Sequence, residues 1–340
     1  MQLKILTLRN FRSYENQTFT FAPGINGIVG KNGIGKTNLL EALYLLSTGK
    51  SFRATKLDEL IRFRAPYFYI EATFEKQGKE HTISFGYDRK SKRLIHNGSP
   101  LLTLTELLPI FPMTFHLPQD IALVAGAPGD RRRFLNIHLS QTDPDYLKEL
   151  SRYMAALKQR NALLKAETED SMDIFEAEMV KAASYIKSAR FKCLYEIEQK
   201  LPELTDKLTD SFDQFKIAYD PSGPDDFAEA LKENRKKEFI LGITTIGPHR
   251  DDFSISLARH RARNTASEGQ KRSLVTALKH LEYSRLSSHI SHPPLFAIDD
   301  FGAHLDPDRK AAATSLLATF PQIILTLPES SPNLHHIIDL

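Results

Sequence analysis

At 340 residues, with 41% hydrophobic and 26% charged residues, the chain has the composition of a folded globular protein with room for about two domains. Its apolar runs stop far short of the ~20 residues of a membrane span, and a single cysteine, Cys193, excludes a disulfide scaffold or a cysteine-based zinc site. The net charge of +3 hides an asymmetry, for residues 1–64 carry 10 basic and 4 acidic residues whereas residues 145–240 carry 16 and 20. A polyanionic partner is therefore sought at the N-terminal quarter, although a lysine-rich solvated surface would look the same. Met1-Gln2-Leu3-Lys4 runs straight into a strand pattern without a basic-then-apolar leader, so a reducing, cytoplasmic setting is expected.

In chain order, Leu3, Ile5, Leu6 and Leu8 predict a first strand, ended by Asn10-Phe11-Arg12-Ser13. Residues 25–29 predict a second, and a helix follows over 36–46 with Leu39, Leu40, Leu43 and Leu46 as its apolar positions. Phe68, Ile70, Ala72 and Phe74 recur at the period of two of a half-buried strand, and Asn97-Gly98 reads as a hairpin turn. From 130 to about 237 the period becomes helical. Tyr146, Leu150, Tyr153, Leu157 and Leu164 make one stripe; Phe175, Met179, Ala182, Ile186 and Ala189 make a second, continuing through Leu194, Ile197 and Leu201. Residues 167–171 would be the polar turn of an antiparallel pair, and 221–224 a break. Strands are expected at 240–246 and 253–257, a helix from Gly269, a strand over Leu295–Ile298, and a last helix and strand reaching Thr326. The outline is an α/β body built from 1–125 and 240–340, with a helical lobe, 126–239, inserted.

Gly30-Lys31-Asn32-Gly33-Ile34-Gly35-Lys36-Thr37 fits the phosphate-loop pattern G-x-x-x-x-G-K-[ST]. Average residue frequencies match those four positions by accident in about 1 in 100 chains of this length. A strand entering the loop and a helix leaving it sharpen the reading. Backbone N–H groups at the helix start would close on the phosphates of ATP, Lys36 would reach the β/γ-phosphates, and Thr37 would offer its hydroxyl to Mg²⁺.

Such a loop needs an acid. The apolar run ending in Asp299-Asp300 puts Asp299 at the end of a strand neighbouring the loop, as a Mg²⁺ carboxylate, and Asp300 where a water could be oriented or deprotonated. Ser267-Glu268-Gly269-Gln270 opens a helix and offers a hydroxyl and N–H groups to an anion, although a plain N-cap has the same look. Ser267 precedes Asp299 by 32 residues, and loop, Ser-x-Gly-Gln helix and acidic strand come in the order of ABC-type ATPases. Gln119, after the apolar stretch 111–117, is a candidate sensor of metal and water, and equally a surface glutamine. Arg12, Lys50, Arg53, Lys56, Arg62 and Arg64 are the candidate contacts to the phosphates of a polyanionic partner. A transporter ATPase would place loop and signature much closer than the 230 residues between Thr37 and Ser267. A small-molecule kinase would need no Ser-x-Gly-Gln element.

The chain resembles the RecF family, recombination-mediator ATPases of the SMC-like ABC group, over essentially its whole length. The resemblance rests on Leu8-Arg9-Asn10-Phe11-Arg12-Ser13-Tyr14, the loop followed by Leu40-Glu41-Ala42, and Gly49-Lys50-Ser51-Phe52-Arg53. It continues through Leu123-Val124-Ala125-Gly126-Ala127-Pro128, Arg131-Arg132-Arg133-Phe134-Leu135 and Gly247-Pro248-His249-Arg250-Asp251-Asp252. It implies an ABC-type head that homodimerises on DNA with ATP. Ser267, Gly269 and Gln270 of one protomer would close over the other's nucleotide, and slow DNA-stimulated hydrolysis would reset the clamp. The partners it implies are gapped, single- and double-stranded DNA, RecR, and indirectly RecO and RecA. Gln119, Lys271, Ala303 and His304 depart from the family pattern. His249, Arg250 and Asp251 read as a buried ion pair or a nucleotide contact, and the Arg131-Arg132-Arg133 run as a solvated face or a phosphate contact.

Overall fold

The computed structural model describes residues 1–208, 215–302, 314, 315, 317, 320–329 and 334–340. The N-terminal segment forms β1 (Gln2–Phe11), β2 (Tyr14–Thr20), β3 (Gly24–Val29), α1 (Lys36–Thr48), β4 (Phe68–Lys76), β5 (Lys79–Tyr87), β6 (Lys92–His96), β7 (Ser99–Pro100), α2 (Leu107–Ile110) and β8 (Met113–His116). The middle of the chain forms α3 (Ala122–Ala125), α4 (Pro128–Thr142), α5 (Pro144–Lys165), α6 (Met172–Leu208), β9 (Phe215–Asp220), α7 (Phe227–Leu241), β10 (Asp252–Leu257), β11 (His260–Arg261), α8 (Ala262–Thr265) and α9 (Glu268–His289). Then come β12 (Leu295–Ile298), β13 (Gln322–Leu327) and β14 (His336–Asp339).

The chain divides into two compact units, residues 1–120 with 276–340, and residues 121–275. The first holds two sheets, a six-stranded one in the order β2-β1-β4-β5-β6-β7 and a five-stranded one in the order β14-β3-β13-β12-β8. Every pairing in the first is antiparallel and every pairing in the second parallel. The patterns explain the difference. β4 alternates buried and half-exposed residues, whereas β12 and β13 are buried throughout, as strands covered on both faces must be. A register shift between Leu3 and Ile5 switches the alternation of β1, so that Leu3, Leu6 and Leu8 are all buried.

In the second unit α5 and α6 pack along the two apolar stripes, with Tyr153, Leu157, Met179, Ile186 and Ile197 buried, and the turn between them is polar. This unit is not purely helical, because β11-β10-β9 form a three-stranded sheet. β9 alternates buried Phe215 and Ile217 with exposed Lys216 and Ala218, a period of two lost within the surrounding helical pattern. Its pairing with β10 keeps 252–257 in the second unit. The compact units divide at 120/121 and at 275/276, the latter inside α9, whereas the sequence pattern changes at 125/126 and 239/240.

The strand expected at 240–246 is absent. Ile240 and Leu241 end α7, Gly242 caps it at φ 65°, and irregular chain follows. This stretch supplies polar partners to the helices beside it. The Thr244 hydroxyl accepts a 2.8 Å bond from buried Arg160, and the N–H and hydroxyl of Thr245 both donate to Glu238. Ala303, His304 and Leu305-Asp306 lie outside the described residues. No helix among those described is long and apolar enough to cross a membrane.

Candidate nucleotide site

β3 delivers the chain to the 30–37 loop, and α1 carries it away. Gly33 has φ 86° and Gly35 φ 126°, backbone that residues with a Cβ avoid, and a Cβ on Gly35 would meet Ser13 Oγ at 3.0 Å and Tyr14 Oη at 3.1 Å. Lys31, Asn32, Gly33 and Ile34 are exposed at the loop crest. Lys36 is buried, and its Nζ donates to the carbonyls of Gly30 and Lys31, the latter at 3.2 Å, so its ammonium lies along the inside of the loop. In the first turn of α1 the N–H groups of Asn38 and Leu39 bond the Gly35 carbonyl at 2.8 and 3.3 Å, and a helix start leaves the N–H groups before them without an intrahelical carbonyl.

Thr37 Oγ1 donates to Asp299 Oδ1 at 3.1 Å, which brings loop and acid together across 262 residues of sequence. The two strands concerned, β3 and β12, are not adjacent in the sheet. β13 lies between β3 and β12, and it carries Thr326, which the sequence offers as the one hydroxyl at the end of the last strand and to which its reading gives little weight. Thr326, fully buried, donates from Oγ1 to Asp299 Oδ1 at 2.8 Å and accepts the Asp300 N–H at 2.7 Å. Its signal in the sequence is a lone hydroxyl near the end of an otherwise apolar strand.

Asp300 is exposed and takes φ 52°, which turns it out of the line of β12. Burial, then the neighbouring Asp300, push the Asp299 carboxyl above the ordinary aspartate range, against the opposing pull of Thr326, Thr37 and the Arg53 charge. A buried carboxylate held at this cost, beside a hydroxyl at 3.1 Å, is a pair of hard oxygen donors of the kind a magnesium ion takes.

The cations named from the sequence divide. Arg12 is not among those available for DNA: it grips buried Glu41 with Nε at 2.8 Å and Nη2 at 2.7 Å, and Ser51 Oγ donates to the same carboxylate. Three of the motif strings thus meet at Glu41, a buried charge that must be paired. Arg53 donates to Asn38 Oδ1 at 3.3 Å, in the first turn of α1, and its charge acts on Asp299, so it sits on the nucleotide side. Lys50 and Lys56 are exposed. Arg62 pairs with Glu15 at 3.1 Å, and Arg64 stacks on Phe63.

Gln119 is exposed in a short turn directly after β8, the parallel neighbour of β12. Next to it Asp120 accepts the Leu117 N–H at 2.8 Å and lies 3.5 Å from buried Lys279. Lys279 also pairs with Glu282 at 3.0 Å; against the cost of its burial, these two carboxylates hold it charged.

In the second unit Ser267 and Gln270 form a reciprocal capping box at the start of α9, Ser267 Oγ accepting the Gln270 N–H at 3.2 Å and Gln270 Oε1 the Ser267 N–H at 2.8 Å. Gly269 follows in the first turn, and Lys271 pairs with Glu268. The same unit accounts for two further strings. Asp251 is fully buried and accepts from Arg190 at 2.7 Å, from Tyr219 and from the Ser222 N–H, which is the ion-pair reading and not a nucleotide contact. Arg131 binds Asp252 through Nε at 2.6 Å and Nη2 at 2.9 Å, and Arg132 donates to the Asp251 carbonyl. His249 lies between Tyr153 Oη at 2.7 Å and the Thr244 carbonyl at 3.1 Å, and burial pushes it down to about 4.

A phosphate loop after a parallel strand, an acid two strands away, and a Ser-x-Gly-Gln helix define an ABC-type P-loop ATPase head. The RecF/RecN/SMC N-terminal domain family matches residues 2–330. A DNA replication and repair protein RecF of Protochlamydia amoebophila is 37% identical over 336 residues, covering 96% of this chain and 94% of that protein; one of Chlamydia caviae is 36% identical, covering 99% and 93%. The chain belongs to the RecF family. A solved structure of the recombination mediator protein RecF-ATP in the RecFOR pathway superposes with a TM-score of 0.90 at 30% identity, covering 98% of this chain and 93% of that one. An SMC head bound to the C-terminal winged-helix domain of ScpA shares the fold, with a TM-score of 0.59 at 18% identity.

Proposed function

We propose that this chain is an ATP-dependent DNA-binding protein of recombinational repair and replication, a weak DNA-stimulated ATPase that dimerises on DNA with ATP. The observation that carries the reading is the hydrogen-bonded group Thr37–Asp299–Thr326 beneath the phosphate loop, in a chain similar along nearly its full length to RecF proteins. Lys36 neutralises the β/γ-phosphates, and the loop glycines let backbone N–H groups approach them. Thr37 and Asp299 hold Mg²⁺, which when bound offsets charge on the same phosphates. Asp300 accepts a proton from, or orients, the attacking water, and Gln119, in the turn after the neighbouring strand β8, senses metal and water. In the dimer Ser267, Gly269 and Gln270 of one protomer complete the other's site. DNA phosphates are met by Lys50, Lys56, Arg62 and Arg64, and hydrolysis releases the clamp. The clamp acts at single-strand gaps in the cytoplasm, with RecR as companion and RecO and RecA downstream.

Turnover measured with and without gapped DNA, together with molar mass by light scattering with ATP and with ADP, tests this. DNA-stimulated turnover and an ATP-specific dimer are expected; a chain that stays monomeric with ATP and ignores DNA overturns the reading. Each phosphate contact removed should lower the salt slope of duplex affinity by about 0.9 in log–log terms. A Lys50→Ala, Lys56→Ala variant with the parental slope would move the DNA surface elsewhere.

A further inference from the structure

Phe63 is 82% exposed, at the tip of the turn Arg62-Phe63-Arg64-Ala65 in the first unit. A single exposed apolar residue is ordinary, but here the backbone beneath the ring is fixed. The Ala65 N–H closes the turn on the Arg62 carbonyl at 2.9 Å, and Arg64 takes φ 65° to allow it. The Arg62 N–H bonds the Asn10 carbonyl, and the Arg12 N–H the Leu60 carbonyl, both at 2.8 Å. Leu60, Ile61 and Ala65 are buried, so the base of the turn is anchored in the core while its tip stands in water. The Arg64 guanidinium lies 5.2 Å from the Phe63 ring centroid. On the other flank Arg62 pairs with exposed Glu15 at 3.1 Å.

From this we infer that Phe63 is a stacking platform for an unstacked DNA base, with Arg62 and Arg64 on the phosphates that flank it. The inference rests on the DNA-binding reading above and adds what that reading lacks, a means of telling interrupted from intact duplex. A continuous duplex offers phosphates but no free base face; a gap, an end or a flipped base offers both. An aromatic ring between cations matches that pair of features, since stacking accepts any base and the arginines supply the charge. Its sequence neighbours are two arginines, which put cationic charge on both sides of the ring, as a polyanionic strand requires. Anchoring of the turn matters because a ring held in place loses little freedom on stacking.

The test uses the full chain with ATP, and two DNAs of one sequence, an intact duplex and a duplex with a short gap, the latter also carrying 2-aminopurine at the gap edge. The parent should bind the gapped DNA more tightly and quench the 2-aminopurine. Phe63→Ala should lose about tenfold on the gapped DNA, lose the quenching, and keep its intact-duplex affinity and salt slope. Phe63→Trp should restore both. The inference is overturned if Phe63→Ala changes neither DNA, weakens both alike, or keeps the quenching. It is overturned too if the variant binds DNA normally but fails to dimerise with ATP, which would make Phe63 a protein contact. A parent that binds neither DNA overturns the DNA-binding reading itself, and the inference with it.

Discussion

Thr326 Oγ1 donates a 2.8 Å hydrogen bond to Asp299 Oδ1 while accepting the N–H of Asp300 at 2.7 Å, so one buried hydroxyl holds both strand-end acids. It supports the charged form of a carboxylate that burial disfavours, and it fixes the turn that sends Asp300 outward. Thr326→Val keeps the shape and removes both bonds. Since a hydrogen bond to a charged group contributes about 1.5–3 kcal/mol, Mg²⁺-dependent ATP affinity should fall by roughly tenfold or more, and Thr326→Ser should retain it. Titration with a fluorescent ATP analogue at several Mg²⁺ concentrations checks this, and an unchanged Thr326→Val would deny the hydroxyl any role.

The two acids should separate in their effects. Asp299 is buried and bonded to Thr37, so Asp299→Asn should weaken Mg·ATP binding and with it dimerisation. Asp300 is exposed beyond the strand, and Asp300→Asn should bind ATP, dimerise and stay on DNA longer, with hydrolysis slowed by roughly 10²–10⁴-fold. Single-turnover hydrolysis and DNA dissociation measured on both variants decide it. If Asp300→Asn hydrolyses at the parental rate, Gln119 becomes the next candidate. Lys36→Ala should lose ATP affinity whatever the Mg²⁺ concentration.

Much of the nucleotide site was legible because phosphate binding restricts residue type at fixed spacing: glycine where φ is 86° or 126°, then lysine and a hydroxyl, then acids at a strand end. Thr326 was legible only as a lone hydroxyl at a strand end, and its weight stayed low because nothing in a threonine's neighbours along the chain tells that an acid lies across the sheet. Arg12 was misplaced for a related reason. Counting charge in residues 1–64 treats every arginine as solvated, and the partner that buries this one, Glu41, is 29 residues away. At 240–246 three isoleucines and two threonines imitate a strand, while Gly242, the residue that ends α7, was the contrary signal. The family strings were recognisable without their physics; Glu41 and Asp251 supply it, each a buried carboxylate with several donors converging on it.

Stability should carry a pH signature from His249. Its imidazole is held neutral in the folded chain, at about 4 against an ordinary 6.5, by burial above all. A base depressed in this way contributes fully above the unfolded value of 6.5, and the contribution is lost as pH falls toward 4, where the folded form also takes the proton. The loss is on the order of 3 kcal/mol. The difference between parent and His249→Gln, by urea unfolding, should therefore be constant above about pH 7 and shrink below it. A difference independent of pH would mean that His249 takes up its proton as readily in the folded chain as in the unfolded one. His292, also pushed down to about 4, is present in both chains and cancels.

Ser267 has two possible duties, and only one is visible in a single chain. As half of the capping box it stabilises the start of α9, worth about 1 kcal/mol on replacement by alanine. Closure over a partner's nucleotide would use the same hydroxyl and the N–H groups behind it. Aspartate caps helices as well as serine does, so Ser267→Asp should leave the melting temperature within about a degree or two of the parent. It would also place a carboxylate where a polyphosphate is to be received. If Ser267 serves closure, Ser267→Asp binds ATP normally through the intact loop but stays monomeric in light scattering and releases DNA. Ser267→Ala then loses some stability and dimerises weakly. Should Ser267→Asp dimerise with ATP as the parent does, the hydroxyl is a helix cap and nothing more, and the trans contact must be sought at Gly269 and Gln270.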